Sequence, residues 1–477
     1  MAYSLFPCTR ERYVLNKHSS MRWGRDRNLV TTDHGAWALL DDKEFRLLRT
    51  MKVEEDPALF NMLVEKGVIV TERSMEKVVE NYRDRFHFLS RGPTLHIIVP
   101  TFRCNQKCVY CHSASKPPGI RGYDMDRKTA KSVVDFIFTS PAETLVIEFQ
   151  GGDCSLNFGI VKYVIEYAKE VAEKNGKEVK FSVVTNLTTM TEEILGFLKD
   201  HKVMGLSTSL DGPKEVHDAN RKYIDGRGTY DDVVYWIKRI KSEFKYRFNL
   251  NALTTVTRFS LPYPGEIVDE FVNLGFDGVW LRFLNNLGFA RSAWERIGYT
   301  PEEYLKFWRD GLSHVLEVNK KKLFKEVFSW ILLAKMLAKR DPMFVDIQSP
   351  CGAGIGQLLY DHKGDIYTCD EAKVLGDTFR LGNVRTSTLR DVITHPTVVS
   401  MMNVSSKLTT LCDACPYSPY CGICPVDVYM TQGSLVPKLA QNFRCKVFRG
   451  MIDTLFRELL FSEPSKKTFL GWIYKPL

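Results

Sequence analysis

Between residues 95 and 283 the chain alternates short apolar runs with amphipathic segments six times. The runs are rich in β-branched and aromatic residues, which favour strands, and the segments between them carry apolar residues at helical spacing. Strict alternation of strand and helix predicts right-handed crossovers and therefore a parallel sheet. We expect an α/β fold, a partial (β/α)6 TIM barrel with strands over residues 95–99, 144–149, 181–185, 205–210, 249–254 and 278–283.

Three cysteines follow the first predicted strand within one short loop. Cys104, Cys108 and Cys111 have the spacing C-x3-C-x2-C. In TIM-type barrels the loops after the strands form the active site. Four-iron clusters and structural zinc sites usually have four protein ligands, so three thiolates predict a metal centre with one open position. A zinc site with a distant fourth ligand, or three unrelated buried cysteines, would have the same spacing.

A second group of cysteines lies in the C-terminal part. Ten of the twelve cysteines fall into spaced clusters, whereas Cys8 and Cys154 stand apart. In a reducing compartment, so many cysteines indicate metal or redox chemistry rather than disulfides. Structural zinc is the alternative, because C-x2-C pairs also suit that ion. The C-terminal cysteines are Cys351, Cys369, Cys412, Cys415, Cys421, Cys424 and Cys445.

Length and composition are those of an ordinary globular protein. The 477 residues, of which 44% are hydrophobic, suffice for about three domains. No apolar stretch approaches the roughly 20 residues that span a bilayer, and the N-terminus has no secretory signal pattern. We therefore expect a cytoplasmic protein without membrane contact. The net charge of +9 is dispersed, which favours a solvated surface over nucleic-acid binding.

The segments on either side of the alternating region have a different secondary-structure pattern. Residues 1–92 contain a hairpin pattern near 32–35, helical patterns and a short strand, which predict a small N-terminal domain. This domain is either a winged-helix-like peptide-recognition module or an extension that braces the barrel. The barrel would cover residues 93–300, followed by a helical linker over 301–345 and a cysteine-rich domain over 346–477.

The cysteine loop and two further motifs resemble the radical SAM superfamily. Residues 150–153, Gln-Gly-Gly-Asp, resemble the family's Gly-Gly-Glu element with Asp in place of Glu, and residues 207–213 end in Ser-Leu-Asp-Gly-Pro. Each motif alone would also suit a tight turn. The resemblance implies a 4Fe-4S cluster on the three cysteines, with S-adenosylmethionine (SAM) on its open iron. It also implies SAM contacts from Tyr110, Gly151, Gly152, Asp153, Asn186, Ser209 and Arg221.

The C-terminal cysteines resemble the SPASM domain, a module that carries auxiliary iron-sulfur clusters. The resemblance implies two such clusters. One would be held by Cys412, Cys415, Cys421 and Cys445. The other would have only three thiolates, from Cys351, Cys369 and Cys424. We expect this second cluster to have an open or non-cysteine fourth site, which a substrate thiolate could use.

Asp370 directly follows Cys369. Sulfatase-maturating relatives have a carboxylate at this place, where it acts as a base near the substrate. The resemblance therefore makes Asp370 a candidate catalytic residue, although a carboxylate there could instead support a cluster ligand.

Over residues 85–450 the chain resembles radical SAM peptide maturases, above all those of the His-Xaa-Ser system. The similar segments are residues 88–96, 147–152, 207–213, 349–356 and 381–384. The resemblance implies that SAM is cleaved to a 5'-deoxyadenosyl radical, which modifies a ribosomally made precursor peptide through a thioether or carbon-carbon crosslink. A flavodoxin or ferredoxin would supply electrons. The alternatives are side-chain oxidation of the sulfatase-maturase type and an iron-sulfur electron-transfer protein without SAM turnover.

Overall fold

The computed structural model describes residues 12–243, 249–338, 341–406 and 411–474. Cys8, one of the two isolated cysteines, lies outside these ranges. Within them, no helix is both long and apolar enough to cross a membrane.

The N-terminal part combines short antiparallel strands with helices. Its elements are β1 (Tyr13–Leu15), β2 (His18–Arg22), β3 (Arg27–Thr32), β4 (Trp37–Asp41), α1 (Asp42–Arg49), α2 (Pro57–Glu65), β5 (Ile69–Thr71) and α3 (Met75–Phe86). Strands β2, β3 and β4 form a sheet in that order, and β1 pairs with β5. The expected hairpin joins β3 to β4, where Gly35 adopts a φ of +97° that favours glycine.

The central part contains the predicted alternation. Its elements are β6 (Leu95–Ile98), α4 (Arg127–Ile137), β7 (Thr144–Phe149), α5 (Phe158–Asn175), β8 (Glu178–Val184), α6 (Glu192–Asp200), β9 (Gly205–Ser209), α7 (Lys214–Asn220), α8 (Tyr230–Glu243), β10 (Asn249–Thr255), α9 (Pro264–Asn273), β11 (Gly278–Val279), β12 (Leu281–Arg282) and α10 (Phe289–Ile297). Strands β6, β7, β8, β9, β10 and β12 are parallel neighbours in that order. The predicted α/β fold with a parallel sheet is confirmed.

Strand β7 illustrates how the two faces of this sheet are used. Leu145, Ile147 and Phe149 are fully buried among the apolar side chains of the core, because alternate residues of a strand face the same side. Glu148 faces the other side, where it accepts hydrogen bonds from Gln150 Nε2 (2.6 Å) and Ser182 Oγ (3.0 Å). The inner face of the barrel is therefore partly polar, as a site for a polar ligand requires.

The C-terminal part continues the same sheet. Its elements are α11 (Pro301–Asn319), β13 (Lys325–Glu326), α12 (Val327–Leu337), β14 (Gln357–Tyr360), β15 (Asp365–Tyr367), β16 (Arg380–Asn383), α13 (Leu389–Ile393), α14 (Pro396–Ser405), α15 (Pro425–Gln432), α16 (Phe443–Phe461) and α17 (Glu463–Tyr474). Strand β14 pairs in parallel with β6, and β15 and β16 follow antiparallel, so the sheet runs β12-β10-β9-β8-β7-β6-β14-β15-β16. The cysteine-rich region is thus joined to the barrel by backbone hydrogen bonds.

One predicted strand differs from the structure. The run 278–283 is divided around Trp280, because β11 pairs with β13 whereas β12 pairs with β10. The segment predicted as a helical linker, residues 301–345, contains α11 and α12 and also β13. Pairing with a distant partner in the chain thus overrode the local strand pattern.

The N-terminal part packs on the C-terminal part through buried polar contacts. The Arg85 guanidinium is buried and donates hydrogen bonds to the carbonyl oxygens of Lys335 and Pro419. Trp23 Nε1 donates to Asp453 Oδ1 (2.9 Å). A buried cation leaves its hydrogen bonds only at a large free-energy cost, so these contacts brace the two parts against each other.

Two glycines after β7 let this strand end pass directly beside the cysteine loop. A Cβ on Gly151 would lie 2.3 Å from the carbonyl oxygen of Thr101, and one on Gly152 would lie 2.2 Å from that of Arg103. Gly152 N also donates a backbone hydrogen bond to Thr101 O (3.0 Å). The close approach of two backbones therefore requires glycine here.

We expect the Gly152→Ala substitution to lower the free energy of unfolding by about 1–3 kcal/mol, because the new methyl group overlaps the loop carbonyls and forces the backbones apart. Urea denaturation of the purified variant would measure this. The matched control is Gly159→Ala, since a Cβ at Gly159 meets nothing within 4 Å. Equal stabilities of the two variants would contradict the expectation.

Candidate metal centre and active site

The loop that follows β6 is held by backbone hydrogen bonds to the segment beyond β9. Lys107 N donates to Lys222 O (2.8 Å), and Val109 N donates to Asn220 O (3.0 Å). Both bonds lie between successive cysteines of the loop. The positions of the three cysteines therefore depend on the fourth strand of the barrel as well as on the first.

The three loop thiols lie close enough to influence one another. Cys104 and Cys108 are buried and Cys111 is half-buried. Burial raises the pKa of Cys108 to about 12; the positive charge of Arg221 opposes this and the Cys111 thiol adds to it. No three His, Cys, Asp or Glu side chains of the described ranges converge tightly enough to hold a single metal ion. A bound metal deprotonates such thiols, so their donor chemistry suits a cluster.

The Ser-Leu-Asp-Gly-Pro motif takes part in a hydrogen-bond network beneath this loop. The Tyr110 hydroxyl donates to Asp211 Oδ2 (2.7 Å) and accepts from Arg221 Nη1 (3.0 Å). Arg221 Nη2 donates to Gln106 Oε1 (2.9 Å). The aspartate of the motif thus holds the tyrosine that precedes the third cysteine. Tyr110 and Arg221 therefore have a structural role in this network.

Asp153 lies next to this network, after the glycine pair. Its buried carboxylate accepts hydrogen bonds from Asn186 N (2.7 Å) and Thr185 Oγ1 (3.0 Å), and from Ser155 N (3.1 Å). Asn186 Nδ2 in turn lies 3.5 Å from Cys104 Sγ. Both Asp153 oxygens therefore have protein partners, and the carboxylate ties the second and third strand ends to the cysteine loop.

Ser209 ends strand β9 on the same face as Ser207, and both side chains are half-buried. Leu206 and Thr208, the residues between them, are fully buried on the opposite face of the strand. The two serines therefore lie on the inner face of the barrel. The predicted serine therefore lies at the strand end, where barrel enzymes bind their ligands.

The C-terminal cysteines form two separate groups. One group lines a cavity beside α16 and consists of Cys412, Cys415, Cys421 and Cys445. Burial raises the pKa of Cys421, and the other thiols of the group raise it further. These are the four cysteines assigned to one auxiliary cluster from the sequence.

The other group lines a second cavity and consists of Cys351, Cys369 and Cys424. Among the described residues that line this cavity there is no further cysteine. Cys424 Sγ lies 3.3 Å from Glu371 Oε2. Glu371 is itself held by Arg444 Nη2 (3.1 Å) and by Asn285 Nδ2 (2.6 Å). The trio expected to hold the second cluster is thus assembled around a buried, hydrogen-bonded carboxylate.

Asp370 lies between the cysteine loop and this trio. Its Oδ2 is 3.9 Å from His112 Nε2, the residue after Cys111. Lys373 is buried and interacts electrostatically with Asp370, Cys111 and Cys369. Burial alone would raise the pKa of Asp370, but the positive charge of Lys373 and the nearby His112 outweigh it and hold this pKa below its usual value. An ionised carboxylate therefore lies between the two cysteine sites.

Several residues of this site gave no signal in the sequence. His112 follows the third loop cysteine and could have been noticed for that reason alone. Lys373, Glu371 and Arg444 belong to no motif, and only the fold brings them to the cysteines. Within the described ranges, His112 Nε2 and Lys373 Nζ are buried atoms without a hydrogen-bond partner.

The central part of the chain matches one known family. Residues 98–277 match the family described as the radical SAM superfamily. A cysteine-type anaerobic sulfatase-maturating enzyme of Clostridium perfringens is 25% identical over 366 residues, which are 75% of this chain and 94% of that protein.

Two solved structures share the fold. The structure of anSMEcpe with bound AdoMet and the Cp18Cys peptide superposes with a TM-score of 0.63 at 21% identity, over 77% of this chain and 98% of that one. The structure of SuiB from Streptococcus suis bound to the precursor peptide SuiA superposes with a TM-score of 0.54 at 14% identity, over 92% and 100%. Residues 98–277 are thus similar to the radical SAM superfamily, whose members bind SAM and a 4Fe-4S cluster.

Proposed function

We propose that this chain is a radical SAM maturase that oxidises a side chain of a ribosomally made precursor peptide. The observation that carries the proposal is the position of Asp370, between the cysteine loop and the Cys351, Cys369 and Cys424 trio. A base between a radical source and an electron acceptor suits a substrate that loses a hydrogen atom, a proton and an electron. The relatives support a peptide substrate, since anSMEcpe and SuiB were solved with peptides.

When bound, SAM and its cluster supply a 5'-deoxyadenosyl radical, and the auxiliary clusters accept an electron. The chain's own residues would orient the peptide and receive its proton. Asp370 is ionised and would accept the proton that leaves the substrate carbon as a new bond forms. His112 and Lys373 have unpaired buried donors, which peptide carbonyls would satisfy. The product then lacks two hydrogen atoms.

The candidate SAM contacts divide into two groups. Gly151, Gly152 and Ser209 lie at strand ends beside the cysteine loop, and we propose that they contact SAM directly. The side chains of the other candidates already bond protein groups, so we propose that they also hold the loop in place: Tyr110, Asp153, Asn186 and Arg221.

We propose that the small domain within residues 1–92 recognises the precursor peptide. Its sheet of β2, β3 and β4 packed with helices is consistent with a winged-helix-like module. Its buried contacts to Lys335 and Pro419 also make it a brace. The reductant would be a flavodoxin or ferredoxin.

Two chemical outcomes remain as candidates. A cysteine trio without a fourth thiol favours a thioether or carbon-carbon crosslink, because a substrate thiolate could bind there. The sulfatase-maturating relative favours oxidation of a side chain to an aldehyde instead. The motifs favour the His-Xaa-Ser system, whereas the relatives described above favour the sulfatase-maturating branch. Tandem mass spectrometry of a precursor peptide co-expressed with the enzyme distinguishes them, since a crosslink joins two residues and an aldehyde alters one.

The joint substitution of Cys104, Cys108 and Cys111 by Ala should abolish the formation of 5'-deoxyadenosine from SAM, because no other group of the site would bind the SAM cluster. Anaerobic assay with dithionite measures this. The iron content should also fall by about four atoms per chain. Cys154→Ala is the matched control and should retain both properties. Continued 5'-deoxyadenosine formation by the triple variant would refute the proposal, and its absence in the unmodified chain would favour a simple electron-transfer protein.

The Asp370→Asn substitution should lower formation of modified peptide by about 100-fold while SAM cleavage continues, because the amide cannot accept the substrate proton. Mass spectrometry of the peptide and chromatography of 5'-deoxyadenosine measure the two quantities separately. The control is Asp377→Asn, whose carboxylate is 92% exposed. Undiminished peptide modification in the Asp370 variant would exclude the role of base.

A further inference from the structure

The cavity of Cys351, Cys369 and Cys424 contains a polar side chain to which the proposed function assigns no role. Gln357 lines this cavity and is only 5% exposed. It opens strand β14, six residues after Cys351. Its neighbours in the cavity are therefore the three thiols that would hold the second auxiliary cluster.

Strand pairing holds Gln357 close to the cysteine trio. Strands β14 and β15 pair Leu359 with Tyr367 and Tyr360 with Ile366. Beyond these pairs, Gly354 N donates to the carbonyl oxygens of Gln357 (2.9 Å) and of Thr368 (3.1 Å), the residue before Cys369. Gln357 and Cys369 therefore lie at the same end of the two strands, and both line the cavity.

The Gln357 amide also has no protein partner. Within the described ranges, no hydrogen bond joins its side chain to another residue, although buried amides are nearly always hydrogen-bonded. Two carboxylates of the same cavity do have partners: Glu371 is bonded to Arg444 and Asn285, and Asp346 pairs with Arg282 Nη2 (3.0 Å). Asp370, the third, lies 3.9 Å from His112 Nε2. Gln357 is thus a neutral polar side chain of this cavity without a protein partner among the described residues.

We propose that the Gln357 amide oxygen is the fourth protein ligand of the auxiliary cluster held by Cys351, Cys369 and Cys424. This proposal rests on the auxiliary cluster of the proposed function. A neutral oxygen binds iron less tightly than a thiolate does, so the fourth ligand of this iron can exchange. It also adds less negative charge, so the cluster is easier to reduce. A thiol can replace the amide without electron transfer: the iron-oxygen bond breaks, an iron-sulfur bond forms, and the thiol proton passes to solvent.

The experiment uses the full chain with Cys104, Cys108 and Cys111 changed to Ala, so that the open iron of the SAM site is absent. The chain is reconstituted, reduced and titrated with 13C-cyanide, and the 13C hyperfine coupling to the cluster is followed by electron-nuclear double resonance. In this background we expect cyanide to bind at one iron. Adding Gln357→Ala should raise its affinity by about tenfold, because the competing ligand is gone. Adding Gln357→Cys should abolish binding and lower the reduction potential, because a thiolate then closes the site.

Asp377→Asn, whose carboxylate is 92% exposed, is the control and should leave the cyanide affinity unchanged. The proposal is overturned if Gln357→Ala binds cyanide no more tightly than its parent, or if Glu371→Gln raises the affinity as much as Gln357→Ala does. Because Gln357→Ala decides the question by itself, a poorly folding Gln357→Cys variant does not prevent the test. Cys351→Ala separates the two proposals: unchanged iron content would mean that no cluster is present and that both fail. Lost iron combined with unaltered affinity in Gln357→Ala would overturn the Gln357 ligand alone.

Discussion

The parallel pairing of β14 with β6 is the constraint on which the site depends. In this register Gln357 lies beside Leu95, at the start of β6, and Tyr360 lies beside Ile98, at its end. The cysteine loop follows the end of β6, whereas Cys351 precedes β14 and Cys369 follows β15. The pairing therefore joins the two cysteine sites through one sheet. Asp370 lies between them, 3.9 Å from His112 of the cysteine loop.

Buried cations next to the cysteines are the second common feature. Arg221 is close to Cys108, Lys373 to Cys111 and Cys369, and Arg444 to Cys424. Each has at least one buried nitrogen without a hydrogen bond among the described residues. A thiolate-bound cluster is anionic and would compensate these charges, so the surroundings of the cysteines suit such clusters better than neutral thiols.

Much of the fold was predictable because strand and helix patterns depend on local periodicity. The run 144–149 was predicted with the bounds that β7 has, since its alternate residues are apolar. The run 278–283 was predicted as one strand and is two, because β11 pairs with a strand more than 40 residues later. The motif roles were only partly predictable. The glycine pair was expected to approach a ligand, whereas its first contact is the loop backbone, and Asp211 holds Tyr110 rather than forming a turn alone.

The sequence by itself determined the alternating α/β fold and the cysteine loop after the first strand, because these follow from spacing along the chain. The division of the C-terminal cysteines into two groups was implied by the resemblance to the SPASM domain. Only the tertiary structure decided which side chains surround those cysteines. Lys373, Arg444 and Gln357 belong to no motif, and each reaches its position through pairing or packing between segments far apart in sequence. Such contacts depend on strand register and on burial between distant segments, and the periodicity of residues along the chain does not predict them.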